Sequence, residues 1–253
     1  MSNLLENGAL TISDNGAHVV RADTSTGDLL YLSSTTERGD GVAIRGGVPL
    51  IAPWFGTYLG EQQHGWARRE AWNVEPIDGG FHAILERDEI VFGLDAIGGD
   101  DELRLRLTLE STADESKRVQ FAFHPYFAVS DIDDVSIEGL DGLGMVDRVD
   151  GANEKVDGDI TFDGIYDSII LGTPEVRIVT PERTLTITSD GADSTVVWNP
   201  GQSKADSMED IGPNEWRKFV CVEPAMLGAD QEGVMLSPGE INTLEMVVKA
   251  SAN

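Results

Sequence analysis

The apolar residues of this chain recur with a period of two wherever a period can be read. In Leu103-Arg104-Leu105-Arg106-Leu107-Thr108-Leu109-Glu110 the alternation is complete, so an extended segment there has one apolar and one polar face. Shorter runs of strand character lie at residues 17–21, 29–32, 81–85, 119–123, 185–187, 196–198, 219–222 and 244–248. Turn signals separate them, among them Asp78-Gly79-Gly80, Gly98-Gly99-Asp100, Asp141-Gly142 and Pro238-Gly239. No long segment carries a 3.6-residue period. Many short strands joined by glycine-rich turns predict an all-β chain, a large antiparallel β-sandwich or barrel. No repeat, linker or low-complexity tract divides it, and all-β units reach roughly 250 residues, so residues 1–253 are expected to form a single domain.

Charge narrows the partners. The 45 acidic and 18 basic side chains give a net charge of −27, which repels a phosphate backbone and an anionic membrane surface alike. No block of Lys or Arg offers a local exception, so neither nucleic acid nor membrane is an expected partner. The acids are 25 Asp and 20 Glu, against 13 Arg and only 5 Lys. A carboxylate-rich, lysine-poor surface fits a protein working in molar salt, where the Debye length falls to about 3 Å and self-repulsion is screened. A halophilic setting is therefore expected. Cys221 is the lone cysteine, so no internal disulfide forms and a reducing cytoplasm is expected. The opening MSNLLENGALTIS lacks the basic and apolar regions of a secretory signal. The most apolar stretch, GVPLIAPWFGTYLG, is about 14 residues long and broken by prolines and glycines, short of the ~20 that span a bilayer.

Several kinds of site are disfavoured. His18, His64, His82 and His124 do not fall at metal-ligand spacing and no CxxC occurs, so no metal is expected. Neither GxxxxGK[ST] nor a GxGxxG opening a helix is present, and no cofactor is expected. The acidic stretch from Asp131 to Asp134 lacks the spacing of a calcium loop and reads as solvated surface.

Three segments carry candidate chemistry. In Arg118-Val119-Gln120-Phe121-Ala122-Phe123-His124, strand alternation puts the apolar Val119, Phe121 and Phe123 on one face and His124 on the other, with Pro125 expected to end the strand. Taken alone, such a histidine is more readily read as a satisfied surface or half-buried residue than as a functional one. In Lys218-Phe219-Val220-Cys221-Val222-Glu223-Pro224 both faces are apolar, so Glu223 is no ordinary solvated carboxylate. Burial disfavours its charge and makes it a usable base near neutrality, unless it simply partners a buried arginine. Pro224 is expected to close this strand too. The third segment gathers Arg45, Arg68 and Arg69 among glycines, prolines and tryptophans, with Gln63 and His64 beside them. Aromatic rings and polar groups suit a sugar and arginine forks suit a phosphate, although each arginine could equally pair with a surface carboxylate.

The order IRGGVPLIAPWFG, HGWARR, FHPYF, DGIYDSI, VVWNPG and FVCVEPA, spanning Ile44 to Ala225, resembles the hexose-6-phosphate mutarotases (glucose-6-phosphate 1-epimerases), a branch of the galactose mutarotase and aldose 1-epimerase group. The resemblance implies a galactose mutarotase-like antiparallel supersandwich and interconversion of the α and β anomers of an aldose 6-phosphate. It implies His124 as acid, Glu223 as base, and substrate contacts at Arg45, Gln63, Arg68 and Asp163, with His64 a neighbour. The partner so implied is a small sugar phosphate, and no metal or cofactor is needed. The same fold also suits a mutarotase of unphosphorylated aldoses or a non-catalytic carbohydrate-binding module; retention of both His124 and Glu223 speaks against the module.

Overall fold

The computed structural model describes residues 2–253, and every ladder between its strands is antiparallel. Two eight-stranded sheets dominate. The back sheet runs in the order Ser136–Glu138, Val176–Val179, Arg183–Asp190, Ile241–Ala252, Glu102–Ser111, Ile90–Gly99, Gly80–Arg87 and Asn73–Ile77. Its centre is the strand with the strictest alternation: Leu103, Leu105, Leu107 and Leu109 are fully buried, whereas Arg104, Arg106 and Glu110 are exposed. Leu107 lies between Leu94 and Leu244 on the neighbouring strands, so one apolar row is continuous across the sheet. Each such leucine contributes about 1.5–3 kcal/mol by leaving water.

The front sheet runs Asn153–Lys155, Gly144–Asp147, Tyr166–Leu171, Ser194–Asn199, Phe219–Met226, Phe121–Phe123 and Leu50–Ile51, with Tyr126–Ala128 also paired to Phe219–Met226. Val197, Val220, Val222, Phe121 and Phe123 pack with the leucine row of the back sheet in one core. Strand alternation then sends Trp198, Phe219, Cys221 and Glu223 to the opposite face, where Trp198, Phe219 and Cys221 join Tyr31, Tyr126 and Ile211 in a second cluster. The double apolar character of the FVCVEP strand is thus explained by a core on each side of it.

Four expectations are corrected. The run at 119–123 is two strands: Lys117–Val119 pairs with Val234–Leu236 and Phe121–Phe123 enters the front sheet. The break is Gln120, whose carbonyl accepts from the Phe55 amide while its Nε2 donates to the Leu227 and Gln231 carbonyls. The run at 29–32 forms only isolated bridges, Leu30 to Phe127 and Leu32 to Gly46. Pro224 does not end its segment: it lies inside Phe219–Met226, paired with Thr195. Pro125 does mark an end, since Phe121–Phe123 stops just before His124 and a separate strand, Tyr126–Ala128, begins after the proline. Finally, Asp131 and Asp133 are not merely solvated: Asp131 caps the short 3-10 turn Ile132–Asp134, and both carboxylates bond Arg217.

Candidate active site

The ladder between Phe121–Phe123 and Phe219–Met226 stops at Ala122–Ala225 and resumes at Tyr126–Cys221. The gap is spanned by Phe123, His124 and Pro125 on one side and by Val222, Glu223 and Pro224 on the other, and the unbroken register leaves His124 opposite Glu223. A proline donates no ladder bond, and the His124 amide turns instead to the Pro49 carbonyl at 3.1 Å. Their side chains meet on the outer face, His124 Nδ1 to Glu223 Oε1 at 3.4 Å. His124 is 6% exposed and Glu223 1%. Despite that proximity, neither His124 Nδ1 nor Glu223 Oε2 has a hydrogen-bond partner. Burial pushes the Glu223 carboxyl well above its usual range, and nearby Asp167 adds to the shift. Burial holds the His124 imidazole well below its usual range, helped by His64, Arg68 and Arg45. The His124 ring stacks on Tyr126 at 4.9 Å between centroids and meets Trp198 edge to face, which fixes its plane.

A cavity opens beside this pair. Its wall on one side carries Arg45, Gln63, His64 and Arg68, and on the other Arg148, Asp167, Trp198 and Lys204. Arg45 projects from a loop that only glycines can form at its next two positions. Gly46 and Gly47 have φ of +106° and +60°, and a Cβ on either would stand 2.4 Å from the Tyr31 or Val19 carbonyl oxygen. Buried His18, its pKa brought down to about 4 by burial, is neutral and holds this loop through Nε2 and the Gly46 carbonyl at 2.7 Å. Arg45 itself donates to the Tyr126 hydroxyl at 2.6 Å and to Asp210 at 2.8 and 3.0 Å. His64 adopts a left-handed φ of +62°, and its Nδ1 accepts from the Gly56 amide at 3.1 Å. That bond leaves the proton on Nε2, so His64 is a neutral donor, in keeping with a pKa lowered by burial and three arginines. Arg68 Nη2 donates to the Gln63 carbonyl at 2.9 Å, while its Nε is unpartnered. Burial, aided by Arg45 and Arg69, pushes the Arg68 pKa down to about 10.

Six of the seven residues singled out in the sequence therefore meet around one cavity. The seventh does not: Asp163 is exposed in the loop before Tyr166–Leu171 and is not part of the lining. The carboxylate on that wall is Asp167, which pairs across strands with Trp198 and so shares its face. Asp167 accepts from Arg148 at 3.1 Å, with Lys204 Nζ at 3.8 Å. Sequence reading missed Arg148, Asp167 and Lys204. Asp167 had a readable signal, a charge inside the largely apolar run Tyr166 to Leu171; Arg148 stands on a turn and Lys204 on the short helix Gly201–Ala205, which only the fold brings to this sheet.

This antiparallel arrangement of two large sheets is a galactose mutarotase-like architecture. Galactose 1-epimerase from Lactobacillus acidophilus NCFM shares the fold with a TM-score of 0.73 at 13% identity, covering 100% of this chain and 94% of that one. The YeaD protein of Salmonella typhimurium, provisionally called a mutarotase, aligns with a TM-score of 0.85 at 25% identity over 99% of this chain and 90% of that one. The family profile described as aldose 1-epimerase matches residues 97–249, and the chain belongs to the aldose 1-epimerase family. A relative from Cenchrus ciliaris, provisionally named glucose-6-phosphate 1-epimerase, is 33% identical over 240 residues, covering 84% of this chain and 72% of its own length. A relative of the same name from Escherichia coli K12 is 31% identical over 243 residues, covering 89% and 82%.

Proposed function

We propose that this isomerase interconverts the α and β anomers of an aldose 6-phosphate such as glucose 6-phosphate, with Glu223 and His124 as the proton-transfer pair. The observation that carries the reading is the company the pair keeps: four of the chain's 18 basic residues, Arg45, Arg68, Arg148 and Lys204, line the cavity beside it, against Asp167 and Glu223 as its lining carboxylates. Arg45 pairs with Asp210, and Arg148 and Lys204 with Asp167, whereas Arg68 bonds the Gln63 carbonyl rather than a carboxylate. In a protein of charge −27 this local excess of cations suits an anion. Trp198 and Phe55 add aromatic surface for a sugar ring. The substrate named in the relatives from Cenchrus ciliaris and Escherichia coli agrees with this chemistry.

Ring opening needs a base at the anomeric hydroxyl and an acid at the ring oxygen. Glu223 takes the hydroxyl proton, His124 protonates the ring oxygen, and the carbon–oxygen bond breaks to give the open-chain aldehyde. Rotation about the bond to the next carbon exposes the other carbonyl face, and reclosure with the roles reversed yields the other anomer. Each transfer is worth roughly 10²–10⁴-fold. Burial favours the neutral form of each group, a proton on Glu223 and an uncharged His124 imidazole. That is the distribution left behind by ring opening and required for ring closure. Moving the same proton to His124 prepares the site for the next cyclic sugar, so the two directions differ by one transfer between facing side chains.

A salt-rich cytoplasm is the setting that best suits the surface charge. No helix among the described residues is long and apolar enough to cross a membrane. The reaction is tested by exchange NMR between the anomers of glucose 6-phosphate, with free glucose run beside it. Faster exchange of the phosphorylated sugar is expected. Equal acceleration of both would favour the free-aldose reading, and no acceleration of either would favour a binding module.

A further inference from the structure

Cys221 plays no part in the proton transfers, yet it lies beside both groups that do. It is two residues from Glu223 on the same strand face, and Tyr126 faces it across the ladder, next but one to His124. Ligand atoms of His124, Cys221 and Glu223 all lie within 4.8 Å of one another. All three residues are buried, at 6%, 0% and 1% exposure. Two of their polar atoms, His124 Nδ1 and Glu223 Oε2, are buried without a hydrogen-bond partner, a costly state that a ligand relieves.

We propose that His124, Cys221 and Glu223 form an inhibitory site for a borderline divalent cation of the zinc class. Imidazole, thiolate and carboxylate are the donor types such ions take, and a fourth position is left open toward the cavity. Zinc bonds of about 2.0–2.3 Å put tetrahedral donors roughly 3.3–3.7 Å apart, so side-chain adjustments of about 1 Å suffice. Coordination takes the ligands as neutral imidazole, thiolate and carboxylate, so two anionic donors offset the two positive charges of the ion and the protons they give up leave to solvent. Once bound, the ion occupies the acid and the base together and stops anomer exchange.

The test uses the whole protein in about 2 M KCl, where the many surface carboxylates compete weakly for cations. Cobalt(II) is titrated as a coloured probe, and anomer exchange is followed with and without zinc(II). Wild type is expected to take one cobalt ion with a thiolate-to-metal charge-transfer band and to lose activity to zinc reversibly, with recovery on adding a chelator. Cys221→Ala should lose the band and, measured against its own metal-free rate, need more than about tenfold higher zinc for the same inhibition. If Cys221→Ala does not fold, His124→Ala should weaken the cobalt band by a similar factor. Absence of the band in wild type, or equal zinc sensitivity in a folded Cys221→Ala protein, overturns the site. The inhibition arm rests on the proposed roles of His124 and Glu223, but the cobalt band does not. A band without anomerase activity removes the proposed function and leaves the metal site; activity without a band does the reverse.

Discussion

His124 and Glu223 are a directly opposed cross-strand pair, 3.4 Å apart at their nearest polar atoms, held in a stretch where the ladder between their strands is interrupted. On the proposed mechanism both act on one ring-opening event, so their losses should not multiply. Glu223→Gln and His124→Ala are each expected to reduce anomer exchange by about 10²–10⁴-fold, and the double variant by less than the product of the two. Exchange NMR on the four proteins checks this, and near-wild-type rates in either folded single variant would remove the residue from the reaction.

The buried carboxyl also leaves a mark on stability. Glu223 is raised in the folded protein above its ordinary value of 4.5, so from that pH upward the folded state holds more protons than the unfolded one. Stability from this group is therefore lost as pH rises from 4.5 toward the folded value, and Glu223→Gln should be the more stable protein at neutral and alkaline pH. Thermal unfolding of both proteins from about pH 4 to pH 8 measures it. The Tm gap should close toward the acid end; a gap that ignores pH, or has the opposite sign, would contradict a protonated, buried Glu223.

Arg68 is expected to discriminate by phosphate. A charge-assisted bond from its guanidinium is worth about 1.5–3 kcal/mol, or roughly 10–150-fold in affinity. Arg68→Ala should raise KM for glucose 6-phosphate by that order and leave any slow turnover of glucose nearly unchanged. Equal damage to both sugars would make Arg68 a ring-contacting or structural residue, in line with its bond to the Gln63 carbonyl.

Salt should stabilise the fold into the molar range. With 45 acidic side chains on 253 residues, self-repulsion opposes compaction until it is screened. Tm is expected to rise between about 0.1 M and about 2 M KCl. A flat or falling Tm over that interval would refute the halophilic reading of the composition.

What could be read in the sequence follows the range of the forces involved. Alternation at Leu103 to Leu109 is a local property of a strand with one buried face, and the back sheet has it as expected. Glu223 was conspicuous because a charge between two apolar faces has no solvated position to occupy. Gln120 was harder: its side chain satisfies three distant backbone groups, so the interruption it causes depends on partners at positions 55, 227 and 231. Pro224 departs from its expectation for a related reason. A missing amide ends a strand only where the ladder needs that donor, and on the side toward Phe121–Phe123 the ladder is already open. Asp163 and Asp167 lie four residues apart in one block, and pairing with Trp198, over 30 positions away, puts Asp167 at the cavity. Arg148 and Lys204 depend on the same long-range pairing, which no local pattern encodes.

Glu223 stands on a sheet strand and His124 in the short gap between two strands, with a core on either side of the sheet, whereas Arg45, Gln63, Arg68, Arg148 and Lys204 reach the cavity from loops, turns and a five-residue helix. Strand positions tolerate little change, but loops accept substitutions and insertions at small cost. Substitutions in these peripheral segments can therefore change which aldose fits the cavity while the two cores that hold Glu223 and His124 stay as they are.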